Sequence, residues 1–183
     1  ALDCLAFRPR VLRDVREIDT SATFLGYKLR IPVLLAPIGS LHRFTSEGAI
    51  AVDNAAKEFD VINFVSTVTE PSLEETAANS PHTKCFQIYV RGDDDWIRDL
   101  VRRVRKAGYK LVTLTVDSAF YGNRERLNPS QIALRRVPER DFQKGLTWDT
   151  VKMIQDELGG IPFIVKGIMT ADDAVLAVAH GVN

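Results

Sequence analysis

Residues 84–117 decide the fold, because they contain a strand, a helix and a second strand in direct succession. The apolar run KCFQIYV (84–90) is followed by an amphipathic stretch that opens with Asp93 and ends in basic residues before Gly108. Acids at the start of a helix and bases at its end match the helix dipole, and glycine suits the left-handed residue that stops a helix. The next run, LVTLTVD (111–117), predicts a second strand parallel to the first.

The same unit recurs along the chain. Strands are predicted at 31–37, 61–66, 84–90, 111–117 and 162–166. Helices are predicted at 47–59, from Ser72, from Asp93 to the basic residues before Gly108, at 147–158 and from Thr170. The spacing is close to the ~30 residues per unit of a TIM (β/α)8 barrel. A doubly wound open sheet has the same local pattern, so periodicity leaves both architectures open. We expect one domain over residues 1–183, with βα units 1–5 in 31–183 and a capping segment in 1–30 that contains a hairpin at Gly26.

Composition excludes several classes of protein. The chain has 45% hydrophobic and 26% charged residues, and its 24 basic and 24 acidic side chains cancel. A neutral chain has no electrostatic attraction for nucleic acid or an anionic membrane, and no apolar run reaches the ~18 residues of a membrane span. Cys4 and Cys85 lie far apart, which argues against a disulfide framework or a zinc site. No secretory leader is visible, so we expect a reducing, cytoplasmic location without metal.

Polar side chains occur toward the carboxyl ends of three predicted strands. Two-residue alternation puts Gln87 and Tyr89 on one face, Thr115 and Asp117 on one face of the next strand, and Lys166 at the end of the last. A single polar residue there is ordinary, because a strand end meets solvent. Together they favour a wet, ligand-binding mouth over a packed core, since an unpaired buried polar group costs ~1–3 kcal/mol.

Other candidate residues are weaker on local sequence alone. Arg124, in GNRER (122–126), could clamp a carboxylate with two parallel hydrogen bonds, although a solvated loop charge is the simpler interpretation. His42, His82 and His180 do not fall at strand ends. Cys85 lies among apolar neighbours and is predicted to be an inert core residue.

Six short motifs then occur in one order that is known from a protein family. They are RPRVLRDV (8–15), PVLLAPIG (32–39), SLEE (72–75), FQIYV (86–90), LTVD with GNRE (114–117 and 122–125) and IVKG (164–167). This series resembles the FMN-dependent 2-hydroxy acid oxidising enzymes, which include glycolate oxidase, lactate oxidase and monooxygenase, mandelate dehydrogenase and flavocytochrome b2. The resemblance spans 8–181 and implies an FMN-binding TIM barrel that converts a lactate- or glycolate-like acid to its 2-oxo acid.

The resemblance also assigns roles to particular residues. Those implied to hold FMN are Pro37, Ile38 and Gly39 along the ring, Ser66, Gln87 and Thr115 at its polar edge, and Lys166 beside its pyrimidine end, where a cation favours the reduced flavin. Those implied to act on substrate are Tyr89 by contact, Arg124 at the carboxylate, and Asp117 as the group that orients a catalytic histidine. A homotetramer is implied as well.

The sequence departs from this family in ways that affect function. The family's catalytic histidine and a second arginine follow the sixth strand, and no such segment occurs in these residues. We therefore expect the chain to be part of a longer polypeptide, and residues 1–183 alone to lack oxidation activity. Val68 stands where glycolate oxidase-like members have a large aromatic residue, which leaves substrate size open. Two alternatives remain: a non-catalytic truncated or degenerate barrel that acts as a scaffold, and another FMN barrel such as a type 2 isopentenyl diphosphate isomerase.

Overall fold

The computed structural model describes residues 2–120 and 138–183, in which strands and helices alternate as the sequence predicts. The elements are β1 (Ala22–Phe24), β2 (Tyr27–Leu29), α1 (Ala49–Phe59), β3 (Asn63–Ser66), α2 (Leu73–Asn79), β4 (Lys84–Ile88), α3 (Asp94–Ala107), β5 (Leu111–Thr115), α4 (Trp148–Leu158), β6 (Phe163–Lys166) and α5 (Ala171–Ala179). Short 3-10 helices cover Leu2–Cys4, Leu41–Arg43 and Pro138–Gly145. Within the described ranges, no helix is both long and apolar enough to cross a bilayer.

The predicted helix ends are confirmed. The Asp93 side chain accepts a hydrogen bond from the Trp96 amide, and Gly108 ends α3 with a φ of 89°. Ser72 and Glu75 form a reciprocal capping box at the start of α2, which satisfies two amides that have no partner inside the helix.

Strands β3 to β6 form one parallel sheet in sequential order. A doubly wound sheet reverses its strand order at a switch point, whereas a barrel adds each strand beside the last, so the described residues form part of a barrel. Strands β1 and β2 form a separate antiparallel hairpin. Its turn residues Leu25 and Gly26 have φ values of 47° and 84°, and two positive φ angles are typical of tight hairpins.

The predicted strand at 31–37 is wrong in extent. Only Leu35 pairs with β3, through its amide to the Ile62 carbonyl at 3.0 Å and its carbonyl to the Phe64 amide at 3.0 Å. Residues 33 and 37 are the next ones whose amides could face β3, but the Val33 amide donates to the Ile31 carbonyl at 2.8 Å and Pro37 has no amide hydrogen, so the pairing extends in neither direction. The segment nevertheless lies beside β3, where a first barrel strand belongs.

The two faces of the sheet have separate cores. On the outer face, Phe86 and Leu114 belong to a cluster with the buried side of α3 and α4. On the inner face, Ile62, Cys85 and Leu111 pack with hairpin residue Leu29. The hairpin therefore closes the amino end of the inner face. Cys85 is fully buried, and this burial raises the pKa of its thiol well above the ordinary value, which agrees with an inert core residue.

A buried ion pair joins α1 to the start of β4. Asp53 Oδ1 lies 3.2 Å from Lys84 Nζ, and the two side chains are 0% and 4% exposed. The ammonium also donates to the carbonyls of Ser80, at 2.6 Å, and His82, at 3.2 Å. Asp53 Oδ2 accepts from the Ser80 hydroxyl and the Asn79 amide, both at 2.9 Å. Both charges are thus compensated by a partner of opposite sign and by hydrogen bonds.

Replacing one partner of this pair tests its importance. We expect Lys84→Met to lower the free energy of unfolding by about 3–5 kcal/mol, because it leaves the Asp53 carboxylate buried without its cation. Lys84→Met combined with Asp53→Leu should recover much of that loss. The control is Lys152→Met, which removes an exposed pair with Asp156 at 3.1 Å and should change little. Urea titrations measure all three, and equal losses in the two single variants would contradict the assignment.

Candidate functional site

A chain of buried polar side chains crosses the carboxyl ends of β3, β4 and β5. The Ser66 hydroxyl donates to Gln87 Oε1 at 2.6 Å, and Gln87 Nε2 donates to Thr115 Oγ1 at 2.9 Å. Ser66 is 3% exposed, and Gln87 and Thr115 are fully buried. Ser66 and Gln87 are direct partners in the parallel register, which places them within reach of each other. These contacts fix the carboxamide with its oxygen toward β3 and its nitrogen toward β5.

This arrangement corrects the expectation of a uniformly wet mouth. The three innermost polar groups are sealed from solvent because neighbouring strands satisfy one another, so no water is needed to offset their burial. Solvent reaches instead Tyr89, which is partly buried, and the exposed side chains Asp117 and Lys166. The polar face therefore has a buried part, which we call the dry floor (Ser66, Gln87 and Thr115), and an accessible part, which we call the rim (Tyr89, Asp117 and Lys166).

Asp117 and Lys166 form an ion pair at this rim. Lys166 Nζ lies 3.3 Å from Asp117 Oδ2, and the two side chains are about two-fifths exposed. Gly167, which follows the lysine, has a φ of 113°, and a Cβ there would lie 2.9 Å from the Asp117 amide nitrogen. Only glycine fits such a close approach at that φ. Nothing in the local sequence around Gly167 indicates this close approach.

Tyr89 is held by a residue that sequence reasoning missed. Its amide donates to Thr67 Oγ1 at 3.1 Å, and the Thr67 amide donates to the Gln87 carbonyl at 2.9 Å. Thr67 thus continues the pairing of β3 and β4 beyond the last registered residues. Thr67 lies in a stretch rich in hydroxyl side chains at the end of β3, two residues before Thr69. Nothing in that local pattern distinguishes Thr67 as a residue that holds the site.

Residues 37–39 lie beside the segment that follows β3. The Ser40 amide donates to the Val68 carbonyl at 2.8 Å, and a Cβ on Gly39 would lie 2.7 Å from Val68 Cγ2. Gly39 therefore allows this backbone to approach Val68, while the Ile38 side chain stays half exposed. Arg124 lies outside the described residues.

None of the three histidines falls at the carboxyl end of a strand, as the sequence suggested. His82 Nε2 is 2.7 Å from the Val61 carbonyl, near the amino end of β3. His180 ends α5 and stacks on Trp148 with ring centres 4.5 Å apart. His42 follows residues 37–39 in a 3-10 helix, and its Nδ1 is buried without a hydrogen-bond partner. Asp117 instead bonds Lys166 and the Ser118 hydroxyl.

The chemistry of this edge fits a flavin ring, whose polar rim alternates carbonyl acceptors with ring nitrogens. Thr113 Oγ1 is buried on the Gln87 face without a hydrogen-bond partner in the structure. A carboxamide has two N–H donors, and Thr115 takes one of those of Gln87. Lys166 adds a cation at the same edge. The group therefore offers hydrogen-bonding capacity and positive charge at the carboxyl ends of β4, β5 and β6.

Comparison with known proteins identifies the family. The model of the FMN-dependent dehydrogenase family matches residues 1–141 and 128–183. Glycolate oxidase 1 of Oryza sativa subsp. indica is 34% identical over 206 aligned positions, covering 99% of this chain and 56% of that protein. Glycolate oxidase of Spinacia oleracea matches with the same identity and coverage.

Solved structures agree with the sequence matches. A mandelate oxidase crystal structure superposes with a TM-score of 0.82 at 31% identity, covering 95% of this chain and 52% of that one. A point mutant of mandelate oxidase with an FMN monooxide adduct also matches at 31% identity, with a TM-score of 0.80. The chain thus spans about half the length of the relatives that it matches. With this fold and these matches over its whole length, the chain belongs to the FMN-dependent dehydrogenase family.

Proposed function

We propose that residues 1–183 form one domain, the amino-terminal part of an FMN-binding barrel that oxidises a 2-hydroxy acid to a 2-oxo acid. The observation that carries this proposal is the hydrogen-bonded chain Ser66–Gln87–Thr115, with Lys166 at the same sheet edge. In an α/β barrel, ligands bind at the carboxyl ends of the strands, and the amino end here is closed by the hairpin. The family is FMN-dependent, which supplies the identity of the ligand.

The cofactor contacts in this proposal are those that the family resemblance implies. The residues that would hold FMN are the backbone of Pro37, Ile38 and Gly39, the side chains of Ser66, Gln87 and Thr115, and the ammonium of Lys166. When bound, FMN accepts two electrons from the substrate. The dry floor keeps the Gln87 carboxamide in one orientation, so its free N–H faces a fixed direction. The Lys166 ammonium stabilises negative charge that develops nearby.

The substrate side of the site is formed by the rim. Tyr89 and Arg124 would contact the hydroxy acid, with the Arg124 guanidinium on its carboxylate. Asp117 would accept a hydrogen bond from an imidazole and hold it as a base. The solved relatives support the substrate class, since a mandelate oxidase mutant is described with (S)-mandelic acid and mandelate oxidase with benzoyl-formic acid. By resemblance to the family, the assembly would be a homotetramer.

Binding of FMN is the first test. We expect the chain to quench the fluorescence of added FMN on binding, and Gln87→Leu to raise the dissociation constant about tenfold or more, because it also leaves Ser66 and Thr115 without their partner. Gln155→Leu is the matched control. Gln155 bonds the carbonyls of His180 and Gly181 at the end of α5, and its loss should leave FMN affinity unchanged. A wild-type chain that binds no FMN would instead support the scaffold alternative.

The charge of Lys166 is tested by the flavin's reduction potential. We expect Lys166→Met to lower the two-electron potential of bound FMN by about 30 mV or more, equivalent to ~1.4 kcal/mol, because the cation favours the anionic reduced form. Lys152→Met removes a cation on α4 and should leave the potential unchanged. Spectroelectrochemical titration gives both values, and an unaltered potential in Lys166→Met argues against a position beside the flavin.

A further inference from the structure

Gln143 bridges two strands at the edge where the site lies. It belongs to the 3-10 helix Pro138–Gly145 and is 4% exposed. Its Oε1 accepts a hydrogen bond from the Val90 amide at 3.0 Å, and its Nε2 donates to the Thr115 carbonyl at 3.2 Å. One side chain, distant in sequence, therefore contacts the backbone of both β4 and β5.

The carboxamide acts where the strands stop pairing. The last registered pair between β4 and β5 is Ile88 with Leu114. Immediately beyond it, Gln143 offers one acceptor and one donor, the same pair of groups that a peptide unit would present. A glutamate side chain has the same shape, but its carboxylate could only accept a hydrogen bond from the Val90 amide and could not donate one to the Thr115 carbonyl. The bridge is therefore specific to an amide.

Both anchors of Gln143 adjoin residues of the proposed site. Val90 follows Tyr89, whose amide is already held by Thr67. Thr115 accepts from Gln87 through its hydroxyl, and its carbonyl is the group that Gln143 binds. The backbone at Tyr89 and Val90 is thus fixed from both neighbouring sides, by Thr67 on β3's side and by Gln143 on β5's side.

We propose that Gln143 is a positioning residue of the flavin site, an inference that rests on the proposed function. By setting the distance between the carboxyl ends of β4 and β5, it holds Gln87 and Thr115 at the spacing that their mutual hydrogen bond requires. The same bridge places Tyr89 relative to Asp117. Gln143 itself touches neither ligand, because both its polar atoms are engaged with backbone.

Two substitutions separate this role from simple packing. Gln143→Met keeps the length of the side chain and loses both hydrogen bonds, and we expect it to raise the FMN dissociation constant about tenfold. Gln143→Glu keeps the shape and loses the donor at about pH 8. Burial raises the pKa of such a carboxyl, so lowering the pH to about 6 protonates it and restores a donor toward Thr115.

Other titratable groups near Gln143 could also change FMN affinity with pH, so the wild type is measured at both pH values for comparison. The nearby titratable side chains on its own helix and on the packed strands and helix are engaged with partners in the structure: Asp141 with Lys144, Asp117 with Lys166, and Asp173 with Thr170. Any effect of pH on these groups appears equally in the wild type. Only the two Glu variants gain a new titratable group, and only Gln143→Glu places it between Val90 and Thr115.

The experiment measures FMN fluorescence quenching and the visible flavin band for wild type, Gln143→Met, Gln143→Glu and the control Gln155→Glu, at about pH 8 and about pH 6. We expect FMN affinity to fall in both Gln143 variants, to recover at the lower pH in Gln143→Glu only, and to be unchanged in the control.

Melting temperatures recorded on the same samples decide the outcome. A lower melting temperature with unchanged FMN affinity makes Gln143 a purely structural residue and overturns the proposal, as does a loss in Gln143→Glu that acid does not reverse. If Gln143→Glu does not fold at about pH 8, the comparison of Gln143→Met with wild type carries the test. Absence of FMN binding in the wild type is a different result, because it refutes the proposed function itself.

Discussion

The carboxamide of Gln87 is the group on which the candidate site depends. It is fully buried, and it satisfies its oxygen with Ser66 on one neighbouring strand and one N–H with Thr115 on the other. A buried carboxamide of this kind cannot rotate without breaking both contacts, and each broken contact leaves a polar group unpaired in a dry environment. Three parallel strands are thus held in one relative position at the edge where ligands bind in barrels.

The opposite edge is stabilised by different chemistry. There the inner face is apolar and is covered by the β1–β2 hairpin, and the Asp53–Lys84 pair joins α1 to β4. The hairpin covers that end of the inner face in the described residues, whereas the carboxyl ends carry the accessible side chains Asp117 and Lys166. The inner surface consequently has an apolar layer near the hairpin and a polar layer above it. The division between stability at one end and binding at the other is typical of this architecture.

Local rules predicted the helices, their caps and the side of the sheet that each strand residue faces. Those features depend on near neighbours: Ser72 with Glu75, Asp93 with Trp96, and two-residue alternation in β4 and β5. The strand at 31–37 was overestimated, because its apolar composition outweighed the missing amide of Pro37 and gave no sign that the Val33 amide bonds Ile31. The choice between barrel and doubly wound sheet required the observed strand order, since both share one local pattern.

What the sequence could not provide are contacts between distant residues. Lys84 opens an apolar strand and carries no sign that its partner is Asp53 on α1. Gln143 follows a long polar stretch, and nothing local distinguishes it from a solvated glutamine. The burial of Gln87 was also misjudged, because its cost depends on whether Ser66 and Thr115 lie at the right register. The family resemblance implied roles for Ser66, Gln87 and Thr115, and the sheet geometry explains why these three side chains can be buried away from water.

The Asp117–Lys166 pair connects this geometry with the proposed chemistry. In the proposed function the two charges have different partners, an imidazole for Asp117 and a flavin for Lys166, whereas in this structure they form an ion pair with each other. Both side chains are about two-fifths exposed, and an ion pair that solvent screens so well contributes at most ~1 kcal/mol. Exchanging this contact for stronger partners therefore costs little. Gly167 allows the backbone after Lys166 to approach Asp117 closely, which keeps the two residues adjacent. The exposed pair can therefore change partners while the buried chain Ser66–Gln87–Thr115 stays fixed.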